Sequence, residues 1–398
     1  MDFVCDRDDL SAALAFVAGY TSPKDTTTRL VRLETTDGPG LQDLTISATD
    51  GRVHVIYTTP VLSSAADCVL VDGKLFAAGM VSLDAGDVRV KGQKKLVVTQ
   101  KKRRRSVQVA DAGEFPMTPA TGDLVDAHLA VEDFLGALKS VRFALATESA
   151  RPALTCFYFD AEQKYIAAGD GARIAFSRVE FPLAESFTLI PIAYDVIAKA
   201  VRLTGADGLH LQCTPPGWVR VQVSNVTIYI ATLGDPYPAT VITKASEFPL
   251  KPHGILITLP CKAMQKLLKT AAVYADSGKR IQASSMMTVE VVAGQMTLSM
   301  NVQEVGDFKE TLQVETYGGP QEGVRVGLSP GLLLQAIQHA PTDQDISFTI
   351  WNEYEPVTLQ YNDWLTVQVP MGGADVAAKL ARSRQEAAPD EYDDEGDF

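Results

Sequence analysis

The feature that most constrains this chain is a recurrence of domain length. An amphipathic helix pattern, alternating strands, a second short helix and more strands appear three times in 398 residues. The first helices open near Asp8, Val131 and Cys261, which are 123 and 130 residues apart. The second open near Asp72, Ala193 and Pro330, spaced by 121 and 137. Equal modules in a row tend to build a symmetric object. The length is too great for one ordinary core and suits three domains of common size.

Within the first repeat, Leu10, Leu14 and Val17 fall at i, i+4 and i+7 on one helical face. Strands are expected at 29–35, 44–48 and 52–58, turning through Thr49-Asp50-Gly51, and a helix over 73–83 leads to strands at 88–90, 95–100 and 106–110. The second repeat carries its helical stripe on Phe134, Leu138, Val141 and Leu145 and its turn at Asp170-Gly171. The third repeat predicts helices over 260–274 and 330–339. Glu114-Phe115-Pro116 and Pro236-Tyr237-Pro238 close the first and second repeats alike. Helix–sheet–helix–sheet with antiparallel hairpins gives an α+β class, with helices on one face of each sheet. The expected domains are 1–122, 126–249 and 252–371. The stretch 372–398 reads as an acidic, disordered tail.

The 46% hydrophobic content allows a core in each domain. No apolar run reaches the roughly 18 residues of a membrane span. The acidic start, Met1-Asp2-Phe3-Val4-Cys5-Asp6, speaks against a secretory signal, so the expected compartment is the cytoplasm. Five scattered cysteines without C-x-x-C read as buried thiols in a reducing compartment. The five histidines do not cluster with them, so no metal site is expected, nor any cofactor.

Net charge is −13, which alone argues against nucleic acid. The tail supplies −5 of it, so the placement of the bases in the body decides the matter. Lys262, Lys266 and Lys269 sit at i, i+4 and i+7 opposite Met264, Leu267, Leu268 and Ala271. Lys139 with Arg142, and Lys199 with Arg202, repeat the pattern at i and i+3. Two readings stand: phosphate contact without sequence preference, or a solvated face whose late bases complement the helix dipole. Lys101-Lys102-Arg103-Arg104-Arg105, with Lys91, Lys94 and Lys95, forms a basic patch between two strand patterns. It could meet nucleic acid or an acidic partner, or blunt an exposed strand edge by charge. Gly169-Asp170-Gly171 reads as a hairpin turn, not a phosphate cradle. No nucleophile, paired carboxylate or Walker pattern stands out, so no enzyme is expected.

Several strings, in order and at repeat spacing, carry a family resemblance: 44–50 (LTISATD), Glu114-Phe-Pro116, 143–154 (FALATESARPAL), 168–174 (AGDGARI), Leu189-Ile-Pro191, Tyr237-Pro238 and 367–371 (VQVPM). Together they resemble the bacterial DNA sliding clamp, the beta subunit of the replicative DNA polymerase III holoenzyme, over residues 1–371. The resemblance implies a DNA clamp fold of three tandem domains and a head-to-tail homodimer closed into a ring on double-stranded DNA. It implies a processivity factor that slides without sequence specificity and tethers the replicative polymerase subunit, with a clamp loader and other clamp-binding-motif proteins as further partners and no membrane.

With the phosphate reading of the helical bases, DNA contacts fall on Lys74, Lys139, Arg142, Lys199, Arg202, Lys262, Lys266 and Lys269, and the resemblance adds Lys24 and Arg151 in loops after first helices. By the same resemblance, a groove for partner peptides would use Leu154, Gly171, Arg173, Ile174, Pro238, Val241, Ser329, Leu332, Val369, Pro370 and Met371. The strand 106–110, through Val107 and Val109, would form the dimer edge. The chain departs from the family at Gly169, Ala172, Ser329, Leu332 and Gly372, which suits a phage-encoded or secondary copy. The alternative is a clamp-like scaffold that binds peptides without efficient DNA encirclement, which the sparse helical bases of the first repeat allow. The tail's acidic end, 390–398, would recruit a partner or compete with DNA, or serve only as a solubilising end.

Overall fold

The computed structural model of the chain describes residues 1–371 except 23–27, 37–40, 64–65, 111–114, 117, 120–126, 181–184, 215–216, 247–252, 281–285, 303 and 321. The tail and most of both linkers lie outside the described residues. Seven α-helices are described: α1 Arg7–Val17, α2 Gly73–Val81, α3 Val131–Val141, α4 Ile192–Thr204, α5 Ala239–Ser246, α6 Cys261–Arg280 and α7 Pro330–Ile337. The expected helix starts are met to within a residue. Each repeat also opens with a strand that the sequence reading lacks: Asp2–Asp6, Ala127–Ala130 and Ile255–Pro260. Another precedes each second helix: Asp67–Val71, Phe187–Leu189 and Val324–Leu328. Helix α5 is also additional.

Local chemistry starts and stops the helices. The Asp6 carboxylate caps α1 by accepting from the Asp8 and Asp9 amides, and Asp72 does the same for α2 at Leu75. Ser329 caps α7 ahead of Pro330 at its first turn. Gly205, left-handed at φ 67°, ends α4 and donates its amide to the Val201 carbonyl.

The chain divides into two compact units: 1–170 with 177–237, and 171–176 with 238–398. In the first unit, twelve strands form one antiparallel sheet. It passes from the first repeat into the second where Val53–Ser63 pairs with Val226–Ala231, Val55 lying opposite Ile228. That continuous pairing explains why the first two repeats form one unit. Under the sheet, Leu10, Leu14 and Val17 of α1 and Met80 of α2 are wholly buried with Leu33, Ile46 and Val55. Truncating one such leucine to alanine costs about 2–5 kcal/mol. Leu145 falls beyond α3 and is only half-buried, because the helix ends at Val141.

The junction residues are anchors. Phe115 is buried, its ring 6.1 Å edge-on from His54, and Tyr237 stacks on Tyr158 at 4.6 Å. His54 lies opposite Tyr229 in the seam. Its Nε2 is buried without a hydrogen-bond partner among the described residues. Burial, and then the nearby Arg32 charge, push its pKa down to about 4. Cys5, Cys156 and Cys261 are buried free thiols, and burial raises Cys5 to about 12. Cys68 is only half-buried and accepts a bond from Arg32 Nε at 3.0 Å; the Cys213 side chain lies outside the described residues.

In the second unit, the strands Gly306–Gln313, Gln295–Val302, Met287–Val292 and Val324–Leu328 form one sheet in that order. A second run holds Trp364–Gln368, Val357–Tyr361, Asp345–Ile350 and Ile255–Pro260, with the strand that begins at Arg173 along Trp364–Gln368. Helix α6 packs beside α7. The buried Gln265 amide donates to the Ile337 carbonyl at 2.9 Å, tying α6 to the end of α7. No described helix is long and apolar enough to cross a membrane.

Candidate nucleic-acid and peptide interfaces

Helix α6 has the strongest basic face. Met264, Gln265, Leu268, Ala271 and Ala275 are buried, and Lys262, Lys266 and Lys269 stand exposed on the opposite side. Among the described residues none of the three lysines has a carboxylate within ion-pair distance. A row of unpaired ammonium groups at helical spacing suits a polyanion better than a protein's own acids.

The second repeat is more constrained. Lys139 and Arg202 are exposed and likewise unpaired among the described residues. Arg142, in contrast, grips Asp195 of α4 with both terminal nitrogens, at 3.0 and 2.8 Å, and lies over the Tyr194 ring at 4.8 Å. Its fork is occupied, which spacing alone did not reveal. The Lys199 ammonium lies 5.7 Å from the Tyr20 ring centroid. Arg151 is exposed in a loop and Lys74 on α2; Lys24 lies outside the described residues.

The residues expected to take peptide separate by role. Within the second unit, Arg173 is buried and donates to the Leu332 carbonyl at 3.2 Å and to Gln335 Oε1 at 2.7 Å. It therefore builds the surface and has little exposure for direct contact. The Val369 amide donates to the Ala172 carbonyl and Met371's to that of Gly327. These bonds leave the Val369 and Met371 side chains 47% and 37% exposed, beside half-buried Ile174, Leu332 and Pro370. Ser329 spends its hydroxyl on capping α7. Gly171 is exposed at φ 92°, a left-handed value that favours glycine, and Pro238 is half-buried. Leu154 belongs to the first unit and lies half-buried in a 3-10 turn, Pro152–Thr155. Val241 falls in α5, with its side chain outside the described residues.

The basic patch is a strand edge. Its turn is Lys101–Lys102, and the strand runs Arg103–Ala110, three residues earlier than expected. Along Arg103–Gln108 it pairs with Lys95–Gln100; on its other side only Val109 and Ala110 pair, with Val71 and Leu70. The remaining edge is open among the described residues. Val107 is buried, so its side chain points into its own repeat; an edge partner would meet backbone and the exposed Arg104 and Gln108. Part of the charge is used internally. Arg103 bonds the Ser82 carbonyl and Asp84. Arg89 and Lys91 hold Asp2, lowering that carboxyl to about 2 chiefly through the Arg89 bond. In the third repeat, Gly306–Gln313 is also paired on one side only among the described residues, and it exposes Asp307 and Glu310 with Lys309.

Residues 1–119 match the family described as DNA polymerase III beta subunit, N-terminal domain. No curated protein matches. Three solved structures are similar across 94% of this chain and 100% of their own. They are the beta subunit from DNA polymerase of Streptococcus pyogenes (16% identity, TM-score 0.81), the DNA polymerase III subunit beta from Pseudomonas aeruginosa (19%, 0.78) and the C. crescentus beta sliding clamp (20%, 0.78). At such identities the likeness shows the fold, and the family match covers the first repeat. The first 119 residues thus match the DNA polymerase III beta subunit N-terminal domain, and the chain as a whole has the α+β fold of the bacterial DNA sliding clamps.

Proposed function

We propose that this chain is a non-catalytic processivity factor: a DNA sliding clamp made of three domains, 1–122, 126–249 and 252–371, that closes as a head-to-tail homodimer around duplex DNA in the cytoplasm. The carrying observation is the row of exposed, unpaired lysines on α6 in a chain of net charge −13. A protein so acidic would be repelled by DNA unless its bases were gathered on one working face. Contacts from ammonium to phosphate carry no sequence information, which sliding requires.

Dimer closure is supported by two open edges of opposite charge. The first repeat offers a strand bearing Arg103, Arg104 and Arg105, and the third offers one bearing Asp307 and Glu310. Antiparallel addition of one to the other would satisfy backbone groups on both edges and bring unlike charges together. The polymerase subunit, clamp loader and other partners would dock short peptides on the apolar surface at Ile174, Val369 and Met371.

The test is retention on DNA. After loading, the clamp should stay on closed circular duplex and leave within seconds once the circle is cut; equal loss from both forms would overturn the reading. A second reading, a peptide-binding scaffold that does not encircle DNA efficiently, is favoured by one observation: the described outward faces of α1 and α2 carry only Lys74 and the salt-bridged Arg7 as bases. Normal peptide binding with no retention on circles would select it.

A further inference from the structure

Two of the five histidines meet where the polymerase-clamp reading has no use for them. Strand Ala127–Ala130 is the outermost strand of the twelve-stranded sheet, paired with Gly208–Thr214. In that register His128 lies directly opposite His210. Leu129 and Leu209, the pair next to them, point inward and are buried. Both histidines therefore face the opposite, outer side, and both are exposed. Their ring centroids are 4.7 Å apart with the planes tilted by 52°.

We propose that His128 and His210 form a two-imidazole site for a borderline divalent transition-metal ion of the nickel, copper or zinc class. The separation is the argument. With a metal–nitrogen bond of about 2.0–2.1 Å, and a centroid roughly 1.1 Å beyond each nitrogen, a nitrogen–metal–nitrogen angle of about 90–110° puts the centroids about 4.5–5.2 Å apart. The observed 4.7 Å lies inside that range.

The backbone helps to hold the geometry. Gly208, two residues before His210, lies under the His128 ring: a Cβ there would come within 2.7 Å of Cε1. Glycine leaves room for the imidazole to lie across the neighbouring strand. The neighbouring cation, Arg220, donates to Gln212 Oε1 at 3.0 Å and to Gln222 Oε1 at 2.9 Å, so its guanidinium is held along the sheet by two amides. No group of three or more metal-ligating side chains occurs among the described residues. The ion would thus keep open coordination positions, filled by water or by a donor from another molecule. This inference does not depend on the clamp reading.

The test uses the full, untagged chain stripped with a chelator. Calorimetric titration with Ni2+ should give one site per chain with a micromolar Kd. Cu2+ should bind more tightly, following the general order of divalent affinities, and Mg2+, which prefers oxygen, should not compete. His128→Asn and His210→Asn should each weaken Ni2+ binding at least tenfold, whereas His253→Asn, exposed elsewhere, should leave it unchanged. Both ligands are exposed, so melting curves without metal should match those of the unaltered chain. Absence of Ni2+ binding up to millimolar concentration, unchanged affinity in both variants, or an equal loss in His253→Asn would overturn the proposal.

Discussion

Helix α6 opens the third repeat as α1 opens the first, yet α6 and the first repeat's two helices, α1 and α2, turn different faces to solvent. Inward they agree: α6 buries Met264, Leu268 and Ala271, α1 buries Leu10, Leu14 and Val17, and α2 buries Phe76 and Met80. Outward they diverge. Helix α6 exposes three lysines, while α1 presents Asp8, Asp9, Ala15 and partly Phe16, and α2 presents Lys74, Leu75, Ala78 and Val81. Leu75 and Val81 are 59% and 74% exposed. The buried stripe is fixed by packing, where a lost methylene is felt. The solvent face is unconstrained by packing and can be charged in one copy and apolar in another. The difference teaches that a repeat in fold is not a repeat in electrostatics, and that attraction to DNA should be concentrated where α6 lies.

The largest expected effect comes from erasing that contrast. Replacing Lys262, Lys266 and Lys269 with alanine should lower duplex affinity by one to several orders of magnitude near 50 mM salt. The log–log salt slope should shrink by up to about 0.9 for each phosphate contact removed. Stability should hardly move, since all three residues are exposed. Fluorescence anisotropy with labelled duplex across a salt series reads both quantities. An unchanged slope would mean that α6 does not touch DNA.

The converse change is smaller. Leu75→Lys together with Val81→Lys adds two exposed ammonium groups to α2 beside Lys74. Duplex affinity should rise several-fold at low salt, and the gain should vanish by about 0.5 M as screening shortens the reach of exposed charges to a few ångströms. Helix stability should be level or slightly improved, since lysine is a better helix former than valine. No gain at any salt concentration would show that this helix faces away from the phosphate backbone.

Much of this contrast was legible in the chain. The apolar spacing placed the starts of six helices because 3.6-residue periodicity records which face is buried. The lysines at 262, 266 and 269 were visible for the same reason. Three things were not. The short strands Phe187–Leu189 and Ala127–Ala130 are too brief to alternate convincingly. The grip of Arg142 on Asp195 joins residues 53 apart in sequence, which no local pattern encodes. The facing of His128 and His210 arises only from strand register. The groove residues were named through family resemblance, and their geometry then separated the exposed Val369 and Met371 from Arg173, whose charge is turned inward to hold α7.

The smallest effect tests that hidden pairing in the second repeat, which stands between the two extremes. Lys139→Ala should cost roughly one phosphate contact, a slope change of about 0.9. Arg142→Ala should cost less DNA affinity, because both terminal nitrogens already hold Asp195 and the guanidinium lies over Tyr194. It should instead cost up to about 1 kcal/mol of stability, the usual ceiling for a solvent-exposed ion pair. Asp195→Ala then separates occupation from position. It frees the guanidinium without moving the helix that carries it, removes a negative charge from α4, and should tighten duplex binding modestly at low salt. If Asp195→Ala leaves binding unchanged while Lys139→Ala weakens it, Arg142 is a structural tie between α3 and α4 and leaves the set of DNA contacts, with Lys139 and Arg202 remaining as the second repeat's unpaired helical bases.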